Sequence, residues 1–153
     1  MKILIVGCGR VGSRLAQRLE NEGNEVIVID QDRESFASLG GDFRGATFHG
    51  SGLEIPMLRR AGAGSVDALV AVTGGDNRNL MIVQMAKTEF STKRAIARLK
   101  DPIRAAKYRD IGVETICVTT IVEGFLEHWA KDGEFPALPS DISAIGDASA
   151  LHG

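Results

Sequence analysis

The chain has 153 residues, of which 44% are hydrophobic, 25% charged and 5% aromatic, and its formal net charge is −2. This length suits one domain, and this composition is that of a folded globular protein rather than a fibrous, disordered or membrane-spanning one. Acidic and basic residues are interspersed, so no basic stripe predicts nucleic-acid binding. The N-terminal apolar run is too short for a signal peptide or a membrane span, and we therefore expect a cytoplasmic protein.

The two cysteines, Cys8 and Cys117, are far apart and lack the spacing of a zinc site or a disulfide framework. No metal site is predicted. Cys8 lies in a glycine-rich turn, where it is either a small spacer residue or a thiol whose pKa is lowered by the start of a helix. We favour the spacer.

Short apolar runs alternate with segments of helical periodicity along most of the chain. The predicted strands are residues 2–6, 25–30, 46–49, 67–72, 94–99 and 114–118. The predicted helix starts are an N-cap at Asp32, Asp76, Asp101 and either Thr119 or Thr120, with Pro56 opening the third helix and Pro102 following Asp101. This alternation predicts an α/β fold, a doubly wound parallel six-stranded Rossmann sheet with strand order 3-2-1-4-5-6. The domain is expected to span residues 1–131, and residues 132–153 are expected to be a flexible tail or linker.

A Gly-x-Gly-x-x-Gly pattern occupies residues 7–12, between the first strand and the first helix. Gly7 permits the tight turn, Gly9 lets a pyrophosphate approach the backbone, and Gly12 lets the helix pack closely on the strand. The start of the helix offers free N–H groups to the phosphates. Arg10 either grips a terminal phosphate or is simply solvated. The predicted cofactor-binding residues of this turn are Gly7, Cys8, Gly9, Arg10, Val11 and Gly12.

Asp30 ends the second strand about twenty residues after the turn, where an acidic side chain accepts hydrogen bonds from both adenosine ribose hydroxyls. Its presence argues against a 2′-phosphate on the ligand. Gln31 and Asp32 follow it, and both are included in the predicted cofactor site. Asp32 is interpreted mainly as a helix cap.

Two more loops follow strands at the same edge of the predicted sheet. Ser51 and Gly52 come after the third strand, where the adenine is expected, although an ordinary loop is equally consistent. Thr73 and Gly74 come after the fourth strand, across the topological switch point from the glycine turn. We expect them to border the ligand.

These segments together resemble the TrkA N-terminal or RCK (KTN) family, cytoplasmic regulators of potassium uptake systems and potassium channels, over roughly residues 1–130. The segments that carry the resemblance are Gly7 to Gly12, Val26 to Asp30, Phe48 to Gly52, Asp67 to Asp76 with Asn79 and Leu80, and Ala97 with Arg98. One departure is Ser51, where family members commonly have Asp.

The resemblance implies a homodimer with nucleotide clefts near the interface, filled by NAD, NADH, ATP or ADP, and a membrane-embedded potassium transporter as partner. It places the protein at the inner face of the cell membrane through that partner. It also implies roles for Arg10 on phosphates, Asp30 on ribose, Asp76 and Asn79 near the cleft, and Arg98 near the phosphates or the interface. The final helix corresponds to the family's crossover helix, which packs on the neighbouring subunit.

The sequence lacks the Walker, nucleophile-elbow and His-Glu-x-x-His patterns, and no histidine falls at the expected nicotinamide half of the cleft. We therefore predict a regulatory nucleotide-binding subunit without catalytic residues. Two alternatives stay open, an NAD-dependent oxidoreductase fragment and a structural dimerisation module, because many functions share this fold.

Overall fold

The computed structural model describes residues 1–135. The strands are β1 (Lys2–Val6), β2 (Glu25–Asp30), β3 (Ala46–His49), β4 (Ala68–Ala71), β5 (Arg94–Leu99) and β6 (Thr115–Cys117). The α-helices are α1 (Arg10–Asn21), α2 (Ile55–Arg60), α3 (Asp76–Phe90), α4 (Pro102–Asp110) and α5 (Val118–Asp132), and two 3-10 helices span Arg33–Leu39 and Ala63–Ser65.

The six strands form one parallel sheet in the order β3-β2-β1-β4-β5-β6. Both the α/β class and the strand order predicted from the sequence are confirmed. β1 is central, and its Ile5 lies opposite Val28 of β2 and Val70 of β4. Because the chain turns in opposite directions from β1 and from β4, a crevice opens at the carboxyl ends of these two strands.

The central strands are continuous apolar runs because helices cover both faces of this part of the sheet. On one face, α2 and α3 bury Leu58, Leu80 and Ile82 in a cluster that also contains Leu4 and Leu69 of the sheet. On the other face, Ala16 of α1 lies in a cluster with Ile5 and Val28. This packing holds the ends of β1 and β4 in fixed positions, which sets the frame of the crevice.

Some predicted helix caps are confirmed. Asp101 accepts hydrogen bonds from the backbone N–H groups of Ile103 and Arg104, at 2.9 and 3.1 Å, and Pro102 begins α4. Asp32 accepts a hydrogen bond from Glu34 N at 3.0 Å, although the segment that it caps is a 3-10 helix.

Two other predicted caps are wrong. The N-cap of α3 is Gly75, because the Asp76 carboxylate instead accepts hydrogen bonds from the backbone N–H groups of Lys100 and Asp101, each at 3.0 Å. Thr119 and Thr120 lie inside α5, because β6 ends at Cys117 and the helix begins directly at Val118. β4 and β6 are also each shorter by one residue at both ends than the sequence predicted.

Residues 1–118 form one compact unit, and a second begins at Thr119. In the second unit, α5 carries four exposed large apolar side chains: Ile121, Val122, Leu126 and Trp129. The predicted boundary at residue 131 stays a prediction, and most of the predicted tail, from residue 136 onward, lies outside the described residues. Over the part of the chain that is described, no helix has the length and apolar character needed to cross a membrane.

Candidate functional site

The glycine turn is packed so tightly that two of its three glycines cannot carry a side chain. Gly7 has φ +111°, and a Cβ atom there would lie 2.8 Å from Thr73 N. A Cβ atom on Gly12 would lie 1.8 Å from Gly7 O. Gly9 differs, because nothing lies within 4 Å of the Cβ position. Gly7 and Gly12 are thus required by the packing of β1, α1 and β4, whereas Gly9 leaves space open above the turn.

Asp30 ties this turn to the end of β2. One carboxylate oxygen accepts a hydrogen bond from Cys8 N at 2.5 Å and the other accepts one from Asp32 N at 2.8 Å. Each carboxylate oxygen can accept more than one hydrogen bond, so both keep acceptor capacity toward the crevice. The sequence pointed to Asp30 as a ligand-binding residue, and the structure adds that it holds the turn in shape.

A cavity of about 610 Å³ opens at the carboxyl ends of β1, β2 and β4. The predicted site residues that line it are Gly7, Gly9, Arg10, Val11, Asp30, Gln31, Ser51, Gly52, Thr73, Gly74 and Arg98. The lining residues that were not among the predicted cofactor-binding residues are Val6, Ile29, Ser35, Gly50, Val72, Arg78, Lys100 and Val118.

Five predicted site residues do not line the cavity: Cys8, Gly12, Asp32, Asp76 and Asn79. Gly12 packs against Gly7 and Val72, and Asp32 caps the 3-10 helix. The Asp76 carboxylate accepts hydrogen bonds from the backbone N–H groups that follow β5. These residues shape the cavity walls without forming part of the cavity surface.

Asn79 is the clearest example of such a positioning residue, because its exposed fraction is only 1%. Its amide oxygen accepts hydrogen bonds from Thr73 N at 2.9 Å and from Thr73 Oγ1 at 2.6 Å. Its amide nitrogen donates to Thr73 O at 3.1 Å and to Arg98 O at 2.8 Å. Asn79 therefore fastens the loop after β4 to the end of β5, and its hydrogen-bonding groups are used inside the protein.

Cys8 is fully buried, and its thiol donates a hydrogen bond to Ser35 O at 3.4 Å. Burial, with a smaller contribution from the negative charge of Asp30, raises the pKa of Cys8 to about 11. The alternative of a lowered pKa is wrong, because the loss of hydration disfavours a thiolate at this buried position. The preferred interpretation as a small spacer residue agrees with this packing.

The cavity wall on the β4 and β5 side is rich in cations. Arg98 donates from Nη2 to Thr73 O at 3.0 Å, and Lys100 donates from Nζ to Gly74 O at 3.1 Å. Arg78 lies in the first turn of α3 and is half-buried. The sequence interpretation missed Arg78 and Lys100, although each closely follows a strand that ends at the crevice, which was the available signal.

Within residues 1–135 there is no group of three or more His, Cys, Asp or Glu side chains that could hold a metal ion. The cavity instead combines a glycine turn, one carboxylate and several cations around an open space. The strand order and this crevice define an α/β domain of the Rossmann type.

Comparison with known families agrees with this class. A family model described as the TrkA-N domain matches residues 3–119, and the chain belongs to that family. One similar protein is the Trk system potassium uptake protein TrkA of Streptomyces coelicolor, which is 44% identical over 116 residues, or 76% of this chain and 52% of that protein. A TrkA homolog of Methanothermobacter thermautotrophicus is 30% identical over 128 residues, or 83% of this chain and 59% of that protein. The chain thus spans a little over half the length of these two relatives.

Solved structures share the fold at lower sequence identity. The Kef CTD of Shewanella denitrificans in its AMP-bound form has a TM-score of 0.72 and 22% identity, covering 99% of this chain and 86% of that one. The GsuK channel bound to NAD has a TM-score of 0.70 and 20% identity, covering 82% of this chain and 23% of that one.

Proposed function

We propose that this chain is the regulatory nucleotide-binding part of a potassium uptake system or potassium channel. An adenine nucleotide, either NAD or NADH or else ATP or ADP, binds in the crevice and changes the conformation of a homodimer. The observation that carries this proposal is the meeting of the glycine turn and Asp30 at one end of a cavity of about 610 Å³. The adenosine ribose lies against Asp30, and the first phosphates lie over Gly9 and the start of α1.

Family membership supports the potassium-transport part of the proposal, since the relatives at 44% and 30% identity are named as Trk potassium uptake proteins. The nucleotide part is supported by solved structures with the same fold that hold adenine nucleotides. The Kef CTD was solved with AMP, and GsuK was solved with ADP and with NAD.

The proposed homodimer rests on α5. Ile121, Val122, Leu126 and Trp129 have exposed fractions of 43% to 57%. Burying such side chains against a second copy is favourable by about 25 cal/mol for each Å² of apolar surface removed from water. A second copy of the chain is therefore the proposed partner of α5, and a membrane-embedded potassium transporter at the inner face of the membrane is the partner of the dimer.

A regulatory ligand must bind two conformations with different affinity, because a ligand with equal affinity for both shifts no population. The charged side chains around the crevice supply such a difference if the cleft opens or closes around the phosphates. No catalytic residue is proposed, and the nucleotide acts only as a ligand.

The first test is calorimetric titration of purified, nucleotide-free protein with NAD, NADH, ATP and ADP, with light scattering to follow the size of the assembly. We expect unequal affinities, and a change of assembly or of its dimensions with one ligand. Equal tight binding of all four would favour a structural dimerisation module. Hydride transfer from bound NADH would favour an oxidoreductase, and no binding at all would contradict the proposal.

The role of Asp30 needs a sharper test, because Asp30→Ala also removes the hydrogen bonds to Cys8 N and Asp32 N. ADP and 2′-deoxy-ADP are therefore compared on both proteins. We expect the native chain to prefer ADP by about 1 to 3 kcal/mol, the scale of a hydrogen bond to a charged group, and Asp30→Ala to lose that preference. A variant that still prefers ADP by the same margin would remove Asp30 from the ribose-binding role.

A further inference from the structure

The side chains that line the crevice are strongly unequal in charge. Arg10, Arg78, Arg98 and Lys100 contribute four cations, and Asp30 is the one carboxylate among the lining residues. Asp30 is held at the β2 side by its hydrogen bonds to Cys8 N and Asp32 N. The side chains that line the cavity therefore carry more positive than negative charge.

Three of the four cations lie on the side of β4 and β5, beyond the topological switch point. Arg98 and Lys100 are each anchored by a hydrogen bond to the loop after β4, through Thr73 O and Gly74 O. Arg78 rises from the first turn of α3, directly after the same loop. Anchoring keeps these charges at the cavity wall, where the second half of an extended nucleotide lies when its first half occupies the glycine turn.

Arg78 differs from its neighbours because its side chain makes no hydrogen bond, ion pair or ring contact with any residue from 1 to 135, and the residue is half-buried. Its guanidinium carries five N–H donors, which a partly desolvated position leaves without full hydration. An anionic oxygen at the cavity wall is the partner that these donors fit, since guanidinium groups bind phosphate oxygens in pairs.

We propose that the β4 and β5 side of the crevice is a second phosphate subsite, in which Arg78 contacts the ligand and selects a nucleoside diphosphate or triphosphate over oxidised NAD. This inference rests on the proposed nucleotide-binding function. The nicotinamide half of oxidised NAD carries a positive ring, which three cations disfavour. Each phosphate added to an adenosine monophosphate instead brings further negative charge toward Arg78.

The test is a set of calorimetric titrations, without divalent cations, of AMP, ADP, ATP and NAD into the nucleotide-free chain. The variants are Arg78→Gln and Arg104→Gln. Arg104→Gln is the matched control because it removes the same charge from α4. Arg104 lies outside this cavity and already contacts Asn77 and Asp101. Thermal unfolding of each variant checks that its fold is unchanged.

We expect the native chain to bind ATP or ADP at least about tenfold more tightly than AMP or NAD, the scale of one charge-assisted hydrogen bond. Arg78→Gln should remove most of this preference while AMP affinity changes by less than about twofold, and Arg104→Gln should keep it. Arg78→Lys, which retains the charge, should keep part of it.

Equal affinity of the native chain for AMP, ADP and ATP would overturn the second subsite, and so would an equal loss of AMP and ATP binding in Arg78→Gln. NAD bound more tightly than ADP would also overturn it. All three results leave the proposed nucleotide-binding function intact. Failure of every nucleotide to bind contradicts the proposed function itself, and the subsite with it.

Discussion

The two sides of the crevice are built in different ways. On the ribose side, which we define by the glycine turn and Asp30, the backbone is tightly packed and the carboxylate already holds two N–H groups. On the cationic side, which we define by Thr73, Arg78, Arg98 and Lys100, polar groups bind the loop after β4 but Arg78 has no described partner.

This difference suits the ribose side to recognising the adenosine group and the cationic side to discriminating between ligands. A rigid ribose side is preorganised, so it loses little conformational freedom when it binds adenosine, which all the proposed ligands share. A side with an unpartnered cation distinguishes ligands by what lies beyond the first phosphates. A single arginine on a common scaffold is therefore enough to change which nucleotide is preferred.

The largest expected effect comes from a substitution that disrupts the packing of the ribose side. Gly12→Ala should lower the free energy of unfolding by about 3 kcal/mol, the upper range for overpacking, because its Cβ would lie 1.8 Å from Gly7 O and 3.2 Å from Val72 Cγ2. Urea unfolding measures this change. Gly9→Ala is the control, and its unfolding free energy should change by less than about 0.5 kcal/mol. Equal stability of both variants would show that the turn yields easily and is not rigid.

The next largest effect comes from a substitution that disrupts the hydrogen bonds of the cationic side. Asn79→Ala removes the hydrogen bonds that join Thr73 to the carbonyl of Arg98, and we expect a loss of about 2 kcal/mol in urea unfolding because polar groups are left unpaired in the interior. Asn77→Ala is the matched control on the same helix, since Asn77 is exposed and accepts one hydrogen bond from Arg104. If the two variants were equally stable, Asn79 would not be what holds this side together.

The effect that is smallest at neutral pH concerns Cys8, on the ribose side. Its pKa is about 11 in the folded chain, above the ordinary 9.0. Because the pKa is raised, the folded state holds the thiol proton up to a higher pH than the unfolded state does. The contribution of Cys8 to the free energy of unfolding is therefore full below pH 9 and is lost as the pH rises toward 11. Urea midpoints across this range should fall more steeply for the native chain than for Cys8→Ala. Parallel curves would mean that burial does not protect this thiol.

Much of the fold could be predicted from the sequence. The apolar runs gave the places of all six strands, four of them with the bounds that the structure has, and the alternation with helices gave the strand order. The glycine spacing located the turn, and Asp30 was predicted as a ribose-binding residue because it ends the strand after that turn. These features depend on local sterics and short-range periodicity, which a sequence displays directly.

Only the tertiary structure decided which polar side chains line the cavity and which ones bind other parts of the chain. Sequence reasoning treated Asp76 and Asn79 as ligand residues, but Asp76 binds backbone N–H groups about 25 positions away and Asn79 is buried between the loop after β4 and the end of β5. It also passed over Arg78, whose place at the cavity wall depends on how α3 packs against β4 and β5. Whether a polar side chain faces a ligand or another part of the chain is decided by contacts distant in sequence. Only packing brings those groups within hydrogen-bonding range.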